Sequence, residues 1–291
     1  MAETDSLNVL LLGGRGQLGT DLVRTNPGHR LTVHGRSDAD VTDAPAFERY
    51  VRSASPEVVL NTVAFNKTEQ CEDDPLTALA VNTLAPRRLA ALCADLNARL
   101  VHFSTDFVFD GLKGSPYDES DAPAPANLYG FSKYGGERFV ALGSPENLVI
   151  RTSGLYGEAG SRAKGGNFVH TVLTRARSGQ PLRVVNDIFF SPTWTADLAE
   201  KTWSLMEAPT ACGIYHLANG GGCTWFEFAR AVLETAGLTA SVEPLSSSQW
   251  PGKMRRLPDT RLASVRWGSL GLAPLRPWRD ALSAYLRRVP G

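Results

Sequence analysis

An apolar run from Asn8 to Leu12 passes directly into Gly13-Gly14-Arg15-Gly16-Gln17-Leu18-Gly19. An unbroken apolar strand is what a parallel sheet covered on both faces demands. The glycines satisfy G-x-G-x-x-G from Gly14 and G-x-x-G-x-x-G from Gly13. Between a strand and a helix they permit a tight turn and let backbone N–H groups approach a pyrophosphate at the positive helix end. A glycine turn with no ligand is the alternative; its place after the first strand favours a dinucleotide.

Similar runs recur at Arg30 to His34, Glu57 to Asn61, Arg99 to Ser104 and Leu148 to Thr152. Between them Phe47-Tyr50-Val51 and Leu89-Leu92-Cys93-Leu96 carry helical spacing. Strand and helix alternate, which predicts an α/β fold with a doubly wound parallel Rossmann sheet. Asp43 reads as a helix N-cap before Ala44-Pro45. After Thr152 the order blurs in a glycine-rich stretch that suits a loop over a site. Helices are expected over Phe168–Ala176, Trp194–Glu207, Thr224–Ala236 and Trp278–Arg288, with a strand over Gly213–Ala218. Ser246-Ser247-Ser248 and the proline-dotted region to Pro258 read as loop. The expected division is a dinucleotide-binding domain over 1–153 with a returning segment at about 183–218, and a smaller mixed α/β substrate-binding domain over 154–182 and 219–291.

Thirty basic residues balance thirty acidic ones, so net charge supplies no case for a nucleic-acid or membrane partner. Cys71, Cys93, Cys212 and Cys223 contain no C-x-x-C, and the five histidines form no ligand cluster; a reducing cytoplasm is expected and no metal. The acidic start, with only the short apolar run after it, does not read as a signal or a membrane span.

The second strand ends at Val33-His34-Gly35-Arg36-Ser37, without the acidic residue that grips an unphosphorylated ribose. Arg36 and Ser37 offer a cation and a hydroxyl to a 2′-phosphate, which favours NADPH over NADH. A solvent-facing Arg36 is the ordinary alternative. Asp40-Val41 can meet the adenine edge.

Ser104-Thr105-Asp106 follows one strand, and Tyr129-Gly130-Phe131-Ser132-Lys133 opens a helix. Four-residue spacing puts the Tyr129 phenol and Lys133 ammonium on one helix face. A cation about 4 Å away at an effective dielectric near 20 is worth about 4 kcal/mol, close to three pKa units. Tyr129 would then approach neutral pH and protonate a carbonyl oxygen, Thr105 would hydrogen-bond that oxygen, and Lys133 would also hold the nicotinamide ribose.

The chain resembles the dTDP-4-dehydrorhamnose reductase family of extended short-chain dehydrogenases/reductases, nearly end to end. The likeness rests on Gly13 to Gly19, Asp40-Val41-Thr42-Asp43, Val81-Asn82, Ser104 to Gly111, Tyr129 to Lys133, Arg151-Thr152-Ser153, Gly165 to Val169, Val185-Asn186-Asp187 and Ser191-Pro192-Thr193. It implies Thr105, Tyr129 and Lys133 as the catalytic group and a nucleotide-activated 4-keto-6-deoxysugar as substrate. Candidate cofactor contacts are Gly13, Gly16, Gln17, Leu18, Arg36, Ser37, Asp40, Val41, Ala64, Asn82 and Lys133. Candidate substrate contacts are Asn66, Asp106, Phe107, Ser153, Asn186 and Arg256. Asn186-Asp187 is also an ordinary turn pair, Arg255-Arg256 an ordinary solvated one.

Two departures stand out. Gly154 replaces the aromatic common after Arg-Thr-Ser, and Phe107 replaces a Tyr. An opened sugar pocket is expected from the first, unless Leu155, Tyr156 or the glycine-rich loop refills it. Three rivals remain: a reductase of another activated deoxysugar or ketone, an epimerase or dehydratase of the superfamily, and a non-catalytic regulatory subunit like the methionine adenosyltransferase β subunit. Retention of Tyr129 and Lys133 leans against the last. A homodimer is compatible with the sequence.

Overall fold

A computed structural model describes residues 6–161, 165–249 and 252–289. Strands β1 (Asn8–Leu12), β2 (Arg30–His34), β3 (Val58–Asn61), β4 (Arg99–Thr105) and β5 (Leu148–Thr152) join a later strand, β10 (Gly213–His216), in one sheet. Its order is β10-β5-β4-β3-β1-β2, and every neighbouring pair is parallel.

Side chains alternate across β1 and so feed two cores. Val9 and Leu11 pack with Leu18 and Leu22 of helix α1 (Gln17–Arg24) and Leu198 and Trp203 of α8 (Thr195–Glu207). Leu10 and Leu12 face Phe47 and Val51 of α2 (Ala44–Ala54), Leu89 of α5 (Ala85–Asp95) and Val140 of α6 (Leu128–Gly143). Burial on both faces is why these strands read as continuous apolar runs. The doubly wound α/β fold is therefore the one expected, and Asp43 caps α2 by accepting the Ala46 N–H at 3.2 Å.

Beyond β5 lie short pairs: β6 (Leu155–Tyr156) with β9 (Thr193–Trp194), β7 (Leu182–Val185) with β12 (Val242–Leu245), and β8 (Phe189–Phe190) with β11 (Cys223–Thr224). Helices α7 (Phe168–Arg177), α9 (Trp225–Thr235) and α10 (Trp278–Arg288) pack on them around Trp194, Phe228, Trp278 and Tyr285. Two short helices, α3 (Thr68–Asp73) and α4 (Pro75–Leu79), follow β3.

The sequence assigns no element to residues 242–245. Val242–Leu245 is a strand, concealed in the sequence by Pro244, which a two-stranded edge tolerates because one side of the strand needs no donor. Strand β7 pairs with β12 outside the large sheet, and α8 packs on that sheet through Leu198 and Trp203. We propose the domain division accordingly, with 195–218 as the returning segment. Among the described residues no helix is long and apolar enough to cross a membrane.

Candidate active site

The chain leaves β1 for β2 on one side and then crosses to β3 on the other, so the loops after β1 and β3 diverge. Open α/β sheets bind ligands at such a switch point. Gly13 turns there at φ +77°, and a Cβ would stand 2.6 Å from Thr62 Oγ1. Gly16 caps α1 with no side-chain bond, which leaves first-turn N–H groups for an anion.

From this turn a cavity of about 1260 Å³ runs past Thr105, Tyr129 and Lys133 to Phe190, Trp225 and Arg256. A single small-molecule site occupies roughly 300–1,000 Å³, so there is room for a dinucleotide and a second molecule. Ser104 Oγ and Thr152 Oγ1 are buried on its wall with no partner among the described residues, polar atoms that a ligand would satisfy. Turn, cap and orphaned hydroxyls all fit a nicotinamide dinucleotide.

The predicted residues Gly13, Gly16, Gln17, Leu18, Arg36, Asp40, Val41, Ala64, Asn66, Asp106, Phe107, Ser153 and Arg256 line the same cavity as Thr105, Tyr129 and Lys133. Three others are not on its described lining. Asn82 is fully buried and ties Phe65 to α6, accepting the Phe65 N–H at 2.9 Å and donating to Ser132 Oγ at 3.0 Å. Ser37 accepts from Arg15 Nη1 at 3.1 Å. Asn186 is exposed in the turn after β7, where Asp187 accepts from Ser247 N–H at 2.9 Å.

Asn127 caps α6 by accepting the Gly130 N–H at 2.9 Å, which sets Tyr129 in the first turn. The Thr105 and Tyr129 side chains share the cavity wall, and the Phe107 ring meets the Tyr129 ring edge-on at 5.6 Å. Asp106 is a buried node that accepts from Thr105 Oγ1 at 3.0 Å, Ser153 Oγ at 2.8 Å and Thr260 Oγ1 at 2.6 Å. Burial raises its carboxyl despite those three donors. Thr260, 154 residues from Asp106, had no signal in the sequence.

The tyrosine's acidity is the chief correction. Burial, with the nearby Asp106 charge, pushes the Tyr129 phenol up from its ordinary value, and Lys133 does not bring it down. Lys133 Nζ instead donates to the Phe103 carbonyl at 2.6 Å, and burial pulls its own pKa down to about 8. Helix spacing placed both groups on one side but could not report how far each is desolvated.

Cofactor-side residues also rearrange. Arg36 is 91% exposed and paired with Asp40 at 3.3 Å. Arg15, within the glycine motif and not singled out in the sequence, lies beside Ser37 on the same cavity wall. Arg256 is ion-paired with Glu69.

Gly154 does not open the pocket. It sits at φ +54°, and a Cβ would stand 2.4 Å from the Phe190 ring. Phe190 in turn stacks on Trp225, centroids 3.8 Å apart. The missing aromatic is supplied from two remote elements, not from Leu155, Tyr156 or the loop. Gly154→Trp is therefore expected to lose activity on bulky and sugar-sized ketones alike and to lower stability by about 1–3 kcal/mol through overpacking; kinetics on both classes with thermal unfolding would check it. Selective gain on a sugar substrate would show that Phe190 yields.

Comparison with known proteins agrees with this geometry. The model of the RmlD substrate binding domain matches residues 7–290. The spore coat polysaccharide biosynthesis protein SpsK of Bacillus subtilis is 36% identical over 281 residues, covering 96% of each chain. A dTDP-4-dehydrorhamnose reductase of Mycobacterium tuberculosis is 37% identical over 288 residues, covering 97% of this chain and 93% of the relative. The crystal structure of dTDP-4-dehydrorhamnose reductase from Bacillus anthracis, in complex with NADP, superposes with a TM-score of 0.93 at 30% identity, covering 98% of this chain and all of the other. With a family match over nearly the whole length and the glycine turn and Tyr129-Lys133 helix on one cavity, the chain belongs to the dTDP-4-dehydrorhamnose reductase family of oxidoreductases.

Proposed function

We propose that this protein reduces the 4-keto group of a nucleotide-activated 6-deoxysugar with NADPH, Tyr129 giving the proton. The observation that carries the reading is the meeting of Thr105, Tyr129 and Lys133 on the wall of a cavity whose other end is the Gly13 turn. The nicotinamide, when bound, supplies the hydride. Tyr129 donates its phenolic proton to the carbonyl oxygen as charge develops there, and Thr105, its hydroxyl turned from Asp106, donates to the same oxygen. A phenol held protonated at neutral pH is in the right form to donate. Lys133 would hold the nicotinamide ribose and, once charged, ease proton loss from Tyr129. Phe190 and Trp225 offer a flat apolar wall to the substrate, and Arg256 faces the same space as a partner for its phosphates.

The decisive experiment is NADPH oxidation against a panel of nucleotide 4-ketosugars with simple ketones alongside. Turnover confined to the ketosugars is the expected result. Consumption of no NADPH with any ketone would overturn the reading in favour of a regulatory or self-recycling role.

For cofactor choice, Arg15 and Arg36 together face the place of a 2′-phosphate. Each is substantially exposed, so each contact is worth about 0.2–1 kcal/mol. Arg15→Ala and Arg36→Ala should each raise the KM for NADPH by a few-fold at most, and the pair by about tenfold. Little change is expected in the KM for NADH; equal effects on both cofactors would remove the phosphate role.

A further inference from the structure

Beside the catalytic lysine lies a buried polar line that the proposed reaction does not use. His102, in the middle of β4, has no accessible surface. Its Nδ1 lies 3.1 Å from Asn61 Nδ2 on β3, and its Nε2 lies 3.3 Å from Lys133 Nζ on α6. Two backbone groups fix the direction of this line. The Val63 N–H donates to Asn61 Oδ1 at 3.1 Å, which turns the amide nitrogen of Asn61 towards the imidazole. At the far end Lys133 Nζ donates to the Phe103 carbonyl.

An amide nitrogen only donates, so His102 Nδ1 accepts and the single proton of a neutral ring sits on Nε2. That N–H points at Lys133 Nζ and needs a lone pair there. An ammonium has none, whereas a neutral amine has one. We infer that Asn61 and His102 are positioning residues that favour the uncharged amine of Lys133, making it a proton-exchanging group instead of a permanent cation.

The surrounding charges agree. Burial, and then the charge of Lys133, holds His102 well below its ordinary pKa, so the ring stays neutral. Lys133 is lowered by burial and opposed by Glu137, one helical turn on. Glu137 is itself committed to Arg151 on β5, which approaches His216 Nε2 on β10 at 3.4 Å. Val149, the β5 partner of His102, is apolar. A bond made only to the neutral form lowers a lysine's affinity for protons, and its loss moves the ionisation by about one pH unit.

The inference rests on the proposed role of Lys133 only for its catalytic meaning, and its first test is independent of turnover. In the full-length chain labelled with ¹⁵N-histidine, His102 is expected to show a protonated Nε2 and a bare Nδ1 from pH 6 to 9. A proton on Nδ1 would reverse the line and overturn the inference. In His102→Gln, the side-chain carbonyl can turn to Lys133 and accept from its ammonium. Labelled-lysine NMR should then find Lys133 titrating about one pH unit higher than in the parent chain. The high-pH fall in kcat/KM should move with it. An unmoved lysine titration in a folded variant would overturn the positioning role. A moved titration with no ketone reduced by either protein would instead sink the proposed reaction and leave this inference standing.

Discussion

Tyr129→Phe is expected to lower kcat at pH 7 by about 10²–10⁴-fold, the range that a positioned general acid contributes. Its NADPH affinity should stay nearly unchanged. Burial and Asp106 keep the proton on the phenol, the form in which the proposed acid would donate. The substitution removes only the hydroxyl, and the edge-on contact with Phe107 survives. Steady-state rates with a ketosugar, beside a fluorescence titration with NADPH, separate the two effects. A loss of less than tenfold would mean that water or another group supplies the proton.

The second large effect concerns the ion pair beneath the site. Arg151 Nε and Nη2 donate to the two oxygens of Glu137 at 3.0 and 2.7 Å, with side chains only 1% and 2% exposed. The guanidinium also lies 5.1 Å from the centre of the Phe109 ring. Glu137→Ala strands a charge that no water reaches, and such a loss costs about 3–5 kcal/mol. Urea unfolding at pH 7 should show that drop, whereas Glu137→Leu combined with Arg151→Met should recover most of it because a packed apolar pair carries no desolvation penalty. A drop under about 1 kcal/mol would show that solvent enters beside Arg151. The pair anchors α6 to β5, so the same variant tests whether the Tyr129-Lys133 helix depends on it for position.

Much of the architecture was legible because the signals are local. Apolar runs ending in glycine, the Asp43 cap and the Tyr129–Lys133 spacing each depend on residues within a turn or a strand of one another. Backbone sterics and periodicity act at that range, and so the sequence by itself determined the doubly wound sheet, the glycine turn and the placing of Tyr129 and Lys133 on one helix beside the cavity. Tertiary structure decided what depends on distant residues and on exclusion of water. Phe190 fills the space over Gly154, Thr260 completes the shell of Asp106, and Asn82 braces α6 while Asn186 turns to solvent. The tyrosine's acidity belongs to this second group, since spacing along a helix reports proximity but desolvation is set by everything packed around the phenol.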